Sequence, residues 1–127
     1  MGKDVIIACD FKDRETLFKF LEPFKGLNPF LKIGMEIFYK EGPQLVKDLK
    51  KQGCKNFLDL KLPDIPNTVE SAMRNLSELG VEIVNCHAAG GVEMMKAARR
   101  GLDYTEQGKK SELIAVTQLT SISQESL

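Results

Sequence analysis

The chain has 127 residues, with 18 Lys and Arg against 18 Asp and Glu and 43% apolar residues. That is long enough for one compact domain with a core and too apolar for a disordered chain. The balanced charge removes the electrostatic case for nucleic acid or an anionic membrane surface as partner.

In chain order, Val5 to Cys9 is a short apolar run ending at Asp10, the mark of a buried strand. Asp13 can cap a helix whose Leu17, Phe20, Leu21 and Phe24 follow helical spacing, and Gly26 and Pro29 end it. Phe30 to Met35 reads as the second strand, interrupted by Lys32. Gly42-Pro43 opens a second helix carrying Leu45, Val46 and Leu49, and Gly53 closes it. Asn56 to Leu62 is the third strand. A helix then starts near Asn67 or Thr68, where Asn67 and Glu70 have capping-box spacing, and it ends at Gly80. Val81 to Cys86 is the fourth strand, His87 to Gly91 a turn, and Val92 to about Arg100 a fourth helix. Gly101 to Lys110 is a polar connection before a fifth strand, Leu113 to Leu119.

Strands separated by helices, with apolar runs buried on both faces, predict an α/β fold with a parallel sheet. The expectation is one domain over residues 1–127, four β/α units plus one strand. No secretory leader is expected, because Met1-Gly-Lys-Asp4 runs straight into the first strand, and Ile6 breaks the myristoylation pattern that Gly2 opens. No apolar run approaches membrane-spanning length. Cys9, Cys54 and Cys86 are odd in number and form no C-x-x-C pair, which predicts free thiols in a reducing cytoplasm and no zinc site. Cys9, Cys86 and the Met94-Met95 pair read as core.

The chemistry-bearing residues collect at strand ends. Asp59, Lys61 and Asp64 lie at the end of the third strand, Asp10 ends the first, Lys32 is in the second, His87 ends the fourth and Thr120 follows the fifth. Side chains at i and i+2 of a strand share a face, so Asp59 and Lys61 project together, about 6.5–7 Å apart at the backbone, while Leu58, Leu60 and Leu62 turn towards helices. Ionisable groups are costly to desolvate, so such a cluster either satisfies itself or performs chemistry. As a site, Lys32, Asp59, Lys61 and Asp64 would form an alternating, coupled network holding a lysine ready to donate a proton. His87 reads as a hydrogen-bonded strand end, Gly90-Gly91 as a tight turn and Lys109-Lys110 as solvated surface. A metal site would require Asp10, Asp59 and Asp64 to converge, against the competition of the interleaved lysines.

The run Asp59-Leu-Lys-Leu-Pro-Asp-Ile-Pro-Asn-Thr68 closely resembles the D-x-K-x-x-D-I-P-N-T signature of the orotidine 5'-phosphate decarboxylase family. Ile6-Ile-Ala-Cys-Asp-Phe11, Leu31-Lys-Ile-Gly-Met-Glu-Ile-Phe-Tyr39, Asn85-Cys-His-Ala-Ala-Gly-Gly91 and Leu113-Ile-Ala-Val-Thr-Gln-Leu-Thr-Ser121 are similar to that family's first, second, fourth and fifth strands. The resemblance implies a TIM (β/α)8 barrel that converts orotidine 5'-phosphate to uridine 5'-phosphate and CO2 in pyrimidine biosynthesis, with no metal or organic cofactor. It implies Lys61 as proton donor to C6, Asp59 beside the substrate carboxylate, and Lys32 and Asp10 on the ribose hydroxyls. Asp64, Ile65 and Thr68 would reach the neighbouring subunit's site in a homodimer, and Thr120 would contact the pyrimidine.

Pro63 stands where bacterial members commonly have histidine; proline fixes φ and removes an N–H between Lys61 and Asp64. Cys86 stands where a bulkier apolar residue is frequent in that family. The chain is also about half of a typical ~250-residue barrel, so the expectation is a fragment, a truncated product or one part of a larger assembly. Related enzymes sharing D-x-K-x-x-D, the magnesium-dependent keto-gulonate phosphate decarboxylases and hexulose phosphate synthases, fit the Ile65-Pro-Asn-Thr68 continuation less well. A non-catalytic half-barrel is the remaining alternative.

Overall fold

The computed structural model describes residues 3–127, so the Met1-Gly2 start discussed above lies outside the described residues. Five parallel strands form one sheet in sequential order: β1 (Ile6–Ala8), β2 (Phe30–Gly34), β3 (Lys55–Leu62), β4 (Ile83–His87) and β5 (Glu112–Val116). Among the described residues six α-helices join them: α1 (Arg14–Leu21), α2 (Met35–Glu41), α3 (Pro43–Lys51), α4 (Pro66–Ser77), α5 (Val92–Leu102) and α6 (Glu106–Lys109). Alternation turns Leu31, Ile33, Leu58, Leu60, Val84 and Cys86 towards the helices, where they meet Leu17, Leu45, Leu49, Met73 and Met94 in one core. Cys9 and Cys86 are fully buried there, as expected, and all three cysteines are free.

The predicted cap of α1 forms, with Asp13 Oδ1 accepting the Thr16 N–H at 2.8 Å. Most element ends shift by one or two residues from the sequence reading, the fourth strand to Ile83–His87 among them, and four differences say more. The second strand ends at Gly34, and Met35 opens α2, which buries Ile37 and Phe38. Beyond Met35 the stretch carries no legible helical stripe, because seven residues barely complete two helical turns. Helix α4 starts at Pro66, with Ile65 as N-cap and no side-chain cap, so the Asn67–Glu70 capping box does not form. Proline at the first turn needs no partner for its missing N–H. The polar connection contains α6, capped by Thr105 Oγ1, which accepts the Gly108 N–H at 2.9 Å. Strand β5 stops at Val116, three residues short of Leu119.

Helices α4 and α5 pack closely because Gly101 has no side chain. A Cβ there would stand 2.7 Å from the Met73 Cβ and 3.1 Å from the Arg74 backbone nitrogen, and closer still to the Glu70 carbonyl oxygen. Arg100 ties the same helices by a 3.0 Å ion pair to Glu70. The opposite face of the sheet, bearing Ile6, Phe30, Phe57, Ile83 and Ile114, carries no helix among the described residues. Ile6 and Ile114 are 38% and 41% exposed, so that face is only partly shielded from water.

Candidate active site

The uncovered face carries the charged cluster at the carboxyl ends of the strands. Asp59 is level with Gly34 on β2, and Lys32 is level with Phe57, so the Lys32 side chain reaches up towards the Asp59 carboxylate. Lys61 Nζ lies 2.7 Å from Asp59 Oδ1, and Lys32 Nζ lies 3.3 Å from Asp59 Oδ2 and 3.5 Å from Asp10 Oδ1. The Asp59 side chain is only 9% exposed, while that of Asp10 is 68% exposed. Burial alone pushes the Asp59 carboxyl up. The hydrogen bonds from Lys61 and Asn85, the Lys61 charge and the Lys32 bond outweigh it, and the group is held below the ordinary carboxylate range. Asp59 is thus a fixed, ionised carboxylate between two ammonium groups.

Lys61 carries a second peculiarity. Its φ is +51°, in the left-handed region that L-residues other than glycine rarely occupy. The β3–β4 ladder is interrupted at the same place: Leu58 pairs with Val84 and Leu62 with Cys86, so Asp59, Leu60 and Lys61 face Asn85 alone. Asn85 is 2% exposed and bonds both partners of the ion pair, with Nδ2 donating to Asp59 Oδ1 at 2.7 Å and Oδ1 accepting the Lys61 N–H at 2.8 Å.

The structure therefore joins Asp10, Lys32, Asp59 and Lys61 and leaves Asp64 outside their network. Asp64 lies beyond the end of β3 at Leu62, three positions after Lys61 and past Pro63. Its exposed carboxylate accepts the Ile65 N–H at 2.7 Å instead. Ile65 and Thr68 are exposed at the start of α4, and Thr120 is exposed in a turn beyond β5. A cavity of about 510 Å³ opens beside Lys61, lined by Asp64, Thr68, His87, Tyr39 and Leu119 among others. Tyr39 enters it from α2, a helix that the sequence reading did not assign. Asp10 and Asp59 both bind Lys32 and Asp64 stands apart, so the three carboxylates do not converge as a cation site; among the described residues no group of three His, Cys, Asp or Glu side chains does so. Gly91, with φ +91°, completes the tight turn after β4. The Cys9 thiol, next to Asp10, is pushed up to about 11 by burial and by the Asp10 charge.

Asn85 was not singled out from sequence. The available signal was an amide inside the apolar run Ile83-Val-Asn-Cys86, two residues before His87 and hence on the inner face. An unpaired amide there would be costly, so its presence implied a partner.

The sequence pattern of the Orotidine 5'-phosphate decarboxylase / HUMPS family matches residues 3–127. The chain belongs to this family. Orotidine 5'-phosphate decarboxylase of Bacillus cytotoxicus (strain DSM 22905 / CIP 110041 / 391-98 / NVH 391-98) is 56% identical over 126 residues, which are 98% of this chain and 53% of that protein. The orotidine 5'-phosphate decarboxylase of Bacillus mycoides (strain KBAB4) is 55% identical over the same shares. Orotidine 5'-phosphate decarboxylase from Lactobacillus acidophilus superposes with a TM-score of 0.91 at 42% identity, covering 98% of this chain and 57% of that one. An uncharacterized conserved protein from Geobacillus kaustophilus gives 0.90 at 50% identity, covering 94% and 57%. The chain spans about half the length of the curated relatives it matches. Its parallel sheet with outer helices is the α/β arrangement of the TIM-barrel orotidine 5'-phosphate decarboxylase structure over just over half of that chain's length.

Proposed function

We propose that this chain is the N-terminal part of an orotidine 5'-phosphate decarboxylase barrel, carrying the proton-donating half of its active site. The observation that carries the reading is the Lys32–Asp59–Lys61 arrangement, a nearly buried carboxylate held by two ammonium groups at the carboxyl end of a barrel strand. Family membership and relatives bearing that name over 98% of the chain support it.

In this reading the substrate carboxylate lies beside Asp59, and the bond from C6 to that carboxylate breaks. CO2 leaves, the electron pair stays on C6, and the Lys61 ammonium stabilises the developing negative charge before passing a proton to it. The neutral amine regains its proton from water. The ammonium is already oriented by Asp59, so little reorganisation is needed as charge develops. Lys32 and Asp10 hold the ribose hydroxyls, and Thr120 contacts the pyrimidine. No metal or organic cofactor enters the scheme. Asp64, Ile65 and Thr68 serve a second copy's site across a homodimer interface, consistent with their exposure at the start of α4. Three free, buried cysteines fit a reducing cytoplasm.

The test is release of CO2 from orotidine 5'-phosphate by the purified chain, with uridine 5'-phosphate binding followed by NMR. Turnover should be slow, because binding energy from regions that only the longer relatives have is missing. It should fall to background in Lys61→Ala, and uridine 5'-phosphate should shift the Asp59 and Lys61 resonances. Turnover that survives Lys61→Ala, or the absence of both turnover and shifts, would sink the reading.

A further inference from the structure

The interrupted ladder between β3 and β4 leaves the Lys61 N–H without a strand partner, and a side chain takes that place. Asn85 Oδ1 accepts this N–H at 2.8 Å while Asn85 Nδ2 donates to the carboxylate that the same lysine's ammonium binds. The amide orientation is fixed by its surroundings. A carboxylate only accepts and a backbone N–H only donates, so the flipped amide would oppose two acceptors on one side and two donors on the other. At 2% exposure, neither end has water as a ready substitute.

We propose that Asn85 is the positioning residue of the Lys61–Asp59 pair, its one neutral amide locking both the Asp59 carboxylate and the left-handed backbone from which Lys61 projects. This rests on the reading of Lys61 and Asp59 as the reacting pair. Two donors on Asp59 Oδ1, one from Lys61 and one from Asn85, fix the plane of the carboxylate and so the direction of the ammonium. The ammonium has three N–H bonds, and holding one on Asp59 leaves others for a substrate. Neutrality is part of the device. Aspartate at position 85 would set two carboxylates in contact, whereas leucine would orphan both partners.

The test uses Asn85→Leu, close in shape, and Asn85→Asp, which keeps an acceptor for the Lys61 N–H but loses the donor to Asp59. Three readouts are needed: NMR titration of the Asp59 carboxyl, hydrogen exchange at the Lys61 amide, and the pH profile of turnover. In Asn85→Leu the carboxyl should titrate higher, the Lys61 amide should exchange faster, and kcat should drop about 10- to 100-fold with a smaller change in KM. In Asn85→Asp the Lys61 amide should stay protected while the Asp59 titration moves. A folded Asn85→Leu with wild-type titration and exchange overturns the proposal. If both variants and Asn85→Ser fail to fold, Asn85 is a folding residue and the positioning role falls. The two NMR readouts do not need turnover, so a Lys61→Ala chain that remains active would end the decarboxylase reading while Asn85 is still judged on its own.

Discussion

At the scale of single residues, Asp59 couples the site to stability. Its carboxyl is held below the ordinary range in the folded chain, against about 3.9 when unfolded. The unfolded state therefore binds the proton more readily in acid. The stabilisation is fully present above the unfolded value and is lost as pH falls through the folded one. Thermal unfolding followed from pH 6 downward should show the midpoint falling below about pH 4, and Asp59→Asn should flatten that acid limb. An unchanged limb in the variant would place the acid sensitivity in Asp13 and Asp48, whose carboxyls hydrogen bonding also lowers. The Asp59–Lys61 pairing was legible because strand alternation is a short-range rule. Asp64 was grouped with that pair by closeness in sequence and alternating charge, which give no direction beyond the strand; within one chain it accepts the Ile65 N–H. Nothing in a lysine between two leucines announces a left-handed φ.

At the scale of elements, the helices with a long apolar stripe were readable, and the short ones were not. Helices α3 and α5 present apolar residues over several turns, whereas α2 and α6 have seven and four residues and get their order from packing and from one cap. The ends of strands were similarly indistinct, since Met35 and Leu119 are apolar whether or not they join a ladder. The close contact of α4 with α5 depends on a residue that sequence reading placed in a connection. Gly101 lies inside α5, where a methyl group would press on α4 backbone that cannot swing aside. Gly101→Ala gains helix propensity but should still destabilise the chain, by about 1–3 kcal/mol of overpacking. Chemical denaturation measures this directly, and a stabilised variant would mean that the two helices can separate at little cost.

For the whole molecule, ten residues of β3 and α4 sufficed to suggest the family, while the uncovered sheet face could be anticipated only from the length of the chain. Parallel sheets are ordinarily covered on both faces. Here β1 and β5 each pair on one side among the described residues, and Ile6 and Ile114 lie partly exposed on those two strands. Unpaired edges and uncovered apolar surface favour association. Sedimentation velocity should show concentration-dependent self-association of the purified chain, reduced by Ile6→Lys with Ile114→Lys. A monomer at every concentration would show that the edges are better protected than their exposure implies.

Two of the three thiols give the fold a built-in clock. Cys9 and Cys86 are both fully shielded, and burial raises both above the ordinary thiol range, so neither can be modified from the closed state at an appreciable rate. Their positions differ: Cys9 follows the edge strand β1, held by one ladder bond from its N–H to the Lys32 carbonyl, whereas Cys86 sits in β4 between two neighbours. Of these two, a thiol reagent should mark Cys9 first, at the rate at which β1 peels away. Because Asp10 is the next residue, that labelling rate times how long the far end of the charged cluster stays assembled.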